Sequence, residues 1–182
     1  AGSVIVIWQI FFNLQSKRSA WIAAMIFASS PILVMVSGFH GNTDSVFVFF
    51  SLLALRSLII TKSPIMAGLF LGLAINVKIV PVLLAPAFFF ALRGRDQIQF
   101  TVALTTMFVL GYGYHLQHDF GHIWRNLFAY VSLQGQWGLT LFYRNVFFVK
   151  ALKIVSLGTV ILLSAVLGRT TAMKEIRSGS ID

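Results

Sequence analysis

The sequence contains no cysteine, which excludes disulfides and thiolate-bound metal and leaves the redox compartment open. Charge is scarce as well. Only 10% of the 182 residues are Asp, Glu, Lys or Arg, against roughly 25% in an ordinary soluble domain, and a water-soluble fold could not cover itself with so few. No Walker A sequence occurs, and no Gly-x-Gly-x-x-Gly lies between a strand and a helix, so nucleotide-driven chemistry has no support in these residues. There is no initiator Met, no basic leader and no small-residue cleavage pattern; the chain opens at Ala1 inside an apolar stretch and is expected to be a fragment of a longer protein.

What remains is apolar. Hydrophobic residues make up 58% of the chain, in runs that repeat along its length with short polar punctuation between them, the pattern of helices solvated by lipid. The net charge of +9 would suggest nucleic acid or an anionic surface in a soluble protein. Position matters more than sum here. Lys17 with Arg18, Arg56 with Lys62, Arg93 with Arg95, and Arg169 with Lys174 and Arg177 fall between or after apolar runs, as cytoplasmic loops do. Nucleic acid is therefore excluded as a partner.

The first run, Val4 to Leu14, falls short of the roughly 20 residues that cross a hydrocarbon core and reads as a truncated span. A second span is expected from Ala20 to Ser37 with Pro31 as a tolerated kink, and a third from Ser45 to Ile60. The turn between them, Gly38 to Asp44, has no Lys or Arg and belongs on the outer side. The stretch Ile65 to Leu92 exceeds one span, is short for two and has basic residues on both flanks. Pro81 lacks a backbone donor and disfavours α geometry at Val80, so a break is expected there. The result is a hairpin of two short helices, Ile65 to Val77 and Pro81 to Leu92, with Asn76 and Lys78 near its outer tip, an arrangement tolerated where it lines a cavity. A span from Ile98 to Tyr114 follows, then an outer segment from His115 to Arg144 rich in aromatic rings and charge, as at a membrane interface. Phe147 to Leu167 crosses back, leaving a cytoplasmic tail. The fold class expected is all-α: a polytopic transmembrane helix bundle with a broken-helix hairpin and an outer interfacial segment, with residues 1–182 forming a single partial transmembrane domain.

Chemistry is expected at the outer polar islands. His40 and Asp44 bring an imidazole and a carboxylate to the start of the third span, although capping by Thr43 or Asp44 explains the same residues. Asn76 and Lys78 should lie at a similar depth. A lysine within a span costs about 2.5 to 3.5 kcal/mol on insertion scales, so it faces a cavity, a partner or an interface; its functional role would be to hold an anionic headgroup. Arg125 and Arg144 could contact phosphate or anchor the interface. His115, His118, Asp119 and His122 invite a metal, but Gly121 interrupts the helical spacing and no metal site is assigned. Gly68 and Gly72 form a Gly-x-x-x-Gly pair, a sign of close helix packing.

Three stretches together resemble the polytopic glycosyltransferases of the GT-C fold, in particular the mannosyltransferase-like group of glycosyltransferase family 87. They are Ser37-Gly38-Phe39-His40-Gly41-Asn42-Thr43-Asp44, the Ala67 to Ala74 helix running into Val77-Lys78-Ile79-Val80-Pro81, and Arg125-Asn126-Leu127-Phe128-Ala129-Tyr130 continuing to Gly135-Gln136-Trp137-Gly138. The resemblance implies transfer of a mannose-like hexose from a polyprenyl-phosphate sugar to a glycan or lipid acceptor on the non-cytoplasmic face of a bilayer, by default a bacterial plasma membrane. It implies Asp44 and His40 as catalytic residues, Asn76, Lys78, Arg125 and Arg144 as substrate-binding residues, and a principal catalytic acid in a first outer loop upstream of Ala1. No cofactor is named by it. The broken helix also suits a transporter or lipid-linked sugar flippase, and the bundle alone suits a noncatalytic assembly subunit; an internal inverted repeat would favour transport, and none is seen.

Overall fold

A computed structural model describes residues 1–31 and 43–121, together with helical positions at 155, 158–163 and 166. Among the described residues there is no strand, and six α-helices and one 3-10 turn have both ends described. They are α1 (Gly2–Leu14), α2 (Lys17–Ala28), α3 (Asp44–Ile59), α4 (Pro64–Val77), the 3-10 turn Val80–Leu84, α5 (Ala85–Ala91) and α6 (Arg95–His118). The all-α expectation holds.

Local chemistry sets the boundaries. Ser16 caps α2 by accepting from the Ser19 amide at 3.2 Å, and Ser63 caps α4 by accepting from the Met66 amide at 3.3 Å, with Pro64 in the first turn where its missing donor costs nothing. Proline stands near two of the ends. The ring of Pro81 excludes the carbonyl four residues earlier, that of Val77, and α4 stops at Val77. The break thus falls at Lys78, directly after Val77, where the first helix of the hairpin was expected to end. α2 likewise ends at Ala28, where Ser29 Oγ donates to the Met25 carbonyl at 2.7 Å. The span expected from Ala20 to Ser37 with a kink at Pro31 is interrupted at Ser29 and Ser30, and helical geometry resumes at Pro31. Positions 32–42 lie outside the described residues. Replacing Ser63 by Ala should cost on the order of 1 kcal/mol, read as a lower thermal midpoint of the purified protein in detergent.

α4 lies at the centre. Ala67, Leu71 and Ala74 are fully buried and Ile75 nearly so, and Ala67, Leu71 and Ile75 share a core with Ala54 of α3, Phe88 of α5 and Phe100 of α6. Glycines permit close approach: a Cβ on Gly68 would stand 2.5 Å from the Phe100 carbonyl oxygen, and one on Gly72 would stand 2.5 Å from the Met107 Cβ. The Gly-x-x-x-Gly pair is a packing device, as its spacing suggests. These contacts climb in step along both helices, so α4 and α6 run parallel. α5 returns alongside this pair, with the Phe88 and Phe100 rings stacked at 6.0 Å. The hairpin read from the sequence is present.

α1 runs alongside α3 in the same direction, with Gly2 against the Phe49 ring and Arg56 Nε donating to Gln9 Oε1 at 2.7 Å. The helix directions gather Lys17, Arg18, Arg56, Lys62, Arg93 and Arg95 at one end of the bundle and Asp44 and Lys78 at the other. Many large apolar side chains face outward, including Met25 and Ile26 on α2 and Ile98 and Leu110 on α6. No helix among the described residues is long and apolar enough to cross a membrane. At about 1.5 Å per residue the helices α1 to α4 are shorter than a bilayer core, and the longer α6 carries polar side chains through its first and last turns.

Candidate functional site

The site is built where two helix ends meet. Thr43 is the N-cap of α3, but its backbone (φ −66°, ψ 0°) is not the extended geometry that capping needs, and its side chain makes no capping hydrogen bond. Asp44 occupies the first turn, where the positive end of the helix dipole favours a carboxylate. Lys78 terminates α4 with an extended backbone (φ −155°, ψ 137°), while its amide still bonds the Ala74 carbonyl at 3.0 Å. That geometry turns the side chain away from the α4 axis and towards the start of α3. Each charge therefore complements the end of its own helix.

Lys78 Nζ donates to Asp44 Oδ1 at 2.5 Å, and the ammonium lies 5.6 Å from the centre of the Phe47 ring. Phe47 stands three residues after Asp44, on the same face of α3. The cation is thus held by a carboxylate and by a ring face. Side-chain exposure of 40% for Lys78 and 24% for Asp44 decides what such a pair can do. Ion pairs this open contribute only about 0 to 1 kcal/mol, so a phosphate or hydroxyl can displace one partner cheaply. The arrangement offers a compact cation for an anionic group and, beside it, an acceptor for a proton.

Of the residues expected at the site, the structure brings Asp44 and Lys78 together. Asn76 stands two residues before Lys78, yet its Nδ2 donates to the Met107 carbonyl of α6 at 2.7 Å and so serves the α4–α6 contact. His40, Arg125 and Arg144 lie outside the described residues. So do His122 and the side chain of His115, while His118 and Asp119 are exposed; among the described residues no group of His, Cys, Asp and Glu could hold a metal ion. Sequence reasoning missed Phe47, whose spacing from Asp44 was the available signal. It also missed Tyr112, whose hydroxyl donates to the Ile75 carbonyl at 3.3 Å. An apolar groove between α1 and α2, lined by Ile7, Phe11, Ile22 and Ile26 among others, includes no charged side chain.

A parallel-and-antiparallel helix bundle, basic at one end and bearing a carboxylate–ammonium pair at a helix break on the other, defines the class: a helical protein whose polar work is concentrated at one end. The family follows from the sequence itself, for the model of the dolichyl-phosphate-mannose-protein mannosyltransferase family matches residues 1–115 and the chain belongs to that family. This is a glycosyltransferase family of the GT-C type, in agreement with the likeness seen in the sequence, although the match is to protein mannosyltransferases and not to glycosyltransferase family 87. No curated protein and no solved structure matches the chain.

Proposed function

We propose that the chain is part of a polytopic membrane mannosyltransferase, of the kind resembling glycosyltransferase family 87, that moves a mannose-like hexose from a polyprenyl-phosphate sugar to a glycan or lipid acceptor. Lys78 binds the donor phosphate, and Asp44 accepts the proton of the attacking acceptor hydroxyl. As the hydroxyl oxygen bonds to the anomeric carbon, the bond from that carbon to the phosphate oxygen breaks and the polyprenyl phosphate leaves. Positive charge fixed at the leaving oxygen and a base at the attacking one are the two requirements of such a displacement. His40, which lies just before Asp44 in sequence, assists in positioning, and the guanidinium groups of Arg125 and Arg144 suit the phosphate.

The observation that carries this reading is the Lys78–Asp44 pair, set in a helix break inside the residues that match the family. Lipid as the solvent is supported by the outward-facing Met25, Ile26, Ile98 and Leu110. The gathering of Lys17, Arg18, Arg56, Lys62, Arg93 and Arg95 at the other end supports a cytoplasmic basic end and a non-cytoplasmic site.

The test is reconstitution of the full-length protein in liposomes with radiolabelled polyprenyl-phosphate mannose. Label is expected to pass to the acceptor as free polyprenyl phosphate accumulates in parallel. Label that crosses the bilayer still attached to its lipid, with no transfer, would establish the flippase reading instead.

A further inference from the structure

We infer that Asn76, Gly111 and Tyr112 form a latch between α4 and α6 that positions Lys78 against Asp44. The end of a helix leaves its last carbonyls without helical partners, and at α4 the chain must also turn out of the helix within one residue. Two side-chain bonds fasten that end to α6. The Tyr112 hydroxyl donates to the Ile75 carbonyl at 3.3 Å, and Asn76 Nδ2 donates to the Met107 carbonyl at 2.7 Å. Both bonds fall within the three residues that precede Lys78.

The orientation of the Asn76 amide is fixed by its partner. Exchanging oxygen and nitrogen would face Oδ1 against the Met107 carbonyl, so the nitrogen must point to α6. Oδ1 is then buried with no hydrogen-bond partner among the described residues. A leucine would occupy similar space without a stranded acceptor, and such an acceptor calls for an explanation. The bond to Met107 supplies one, since it fixes the depth of α4 along α6. Gly111 makes room for it: a Cβ there would collide with the whole amide and stand 2.6 Å even from its nitrogen.

The latch lies on the α6 side of α4, whereas the ion pair faces α3. A slide or twist of the α4 end would carry the Lys78 backbone, whose amide is tied to Ala74, and move the ammonium relative to Asp44. These are positioning residues, and their effect on transfer rests on the reading of Lys78 as the donor-phosphate cation.

Geometry and activity can be tested separately. These 182 residues contain no native thiol, so Asp44→Cys with Lys78→Cys places a single pair in them that a short bis-methanethiosulfonate reagent can bridge. In the full-length protein, adding Tyr112→Phe should slow bridging threefold or more, and Gly111→Ala should do the same by pushing the Asn76 amide aside. With Asp44 and Lys78 native, Tyr112→Phe should raise the KM for polyprenyl-phosphate mannose three- to tenfold and change kcat less than twofold. A purely structural role would lower the amount of active enzyme and leave KM alone. Bridging at the native rate in both variants overturns the latch. Slower bridging with an unchanged KM upholds the latch and removes the donor role of Lys78.

Discussion

Lys78→Ala should lower the initial rate of mannosyl transfer about 10²- to 10³-fold while leaving the helices folded. Removing one preorganised charge or donor from the place where negative charge develops typically costs about 3 to 4 kcal/mol of barrier, which is that range of rate. Loss of the ion pair from the resting protein costs far less. With Lys78 40% and Asp44 24% exposed, the pair belongs with open ion pairs worth about 1 kcal/mol or less. Activity and stability should therefore separate, and measuring both on one preparation distinguishes a catalytic cation from a helix-end ornament. Asp44→Asn keeps the shape of the side chain and removes its capacity to take a proton, and should lower the rate about 10²-fold or more. The double variant should fall by less than the product of the two single effects, because residues in direct contact and acting on one event are not additive. Lys78→Arg keeps the charge but replaces a compact ammonium with a planar fork of different reach, and should recover only part of the rate. A fall below threefold in Lys78→Ala would place the ammonium away from the reacting phosphate.

The helix break shows how far sequence alone reaches. Proline acts over a short distance on its own chain, and α4 ends at Val77, four residues before Pro81, and α2 at Ala28, three before Pro31. The rule is legible in the sequence, and so are the hairpin and the Gly68–Gly72 packing. Span bounds read from hydropathy fall within a residue of α3, expected from Ser45 to Ile60, and short of α6, expected from Ile98 to Tyr114, because the polar residues of its first and last turns are helical too. Asp44 and Lys78 are legible as residues of shared depth, and the structure makes that depth a contact.

Asn76 is legible only as a polar residue in an apolar run. Its partner is a backbone carbonyl 31 positions away, at Met107, and a carbonyl leaves no trace in composition or spacing. The same holds for Tyr112 and Ile75. Contacts between a side chain and a distant backbone depend on the register of two helices, and that register is set by the glycines that let α4 and α6 approach. Gly68, Gly72 and Gly111 form such a series, each facing α6 or α4 at close range.

That register makes Gly68→Leu the most damaging substitution expected in the fold. A Cβ at Gly68 would stand 2.5 Å from the Phe100 carbonyl oxygen, 2.9 Å from the Ala103 Cβ and 3.0 Å from the Leu104 amide nitrogen. Two of these three atoms belong to the backbone of a helix, so no rotamer change relieves the clash and the helices must part. Overpacking a close-packed interior costs about 1 to 3 kcal/mol, and more where backbone has to move. Parting α4 from α6 would also loosen the seats of Leu71, Ile75 and Phe100, all at most 2% exposed, so a loss of about 3 kcal/mol or more is expected. Two other glycines calibrate the result. Gly94 has φ +54° and open space around it, so alanine there meets only the left-handed backbone penalty of about 1 to 2 kcal/mol. Gly113 would place a Cβ 3.4 Å from Val109 in ordinary contact, and alanine there should be neutral or stabilising through helix propensity. Thermal midpoints and monodispersity in detergent should therefore rank Gly113→Ala above Gly94→Ala, and both above Gly68→Leu. A Gly68→Leu protein that melts with the wild type would mean that α4 and α6 are not packed at this distance, and the placement of Asn76, and through it Lys78, would lose its foundation.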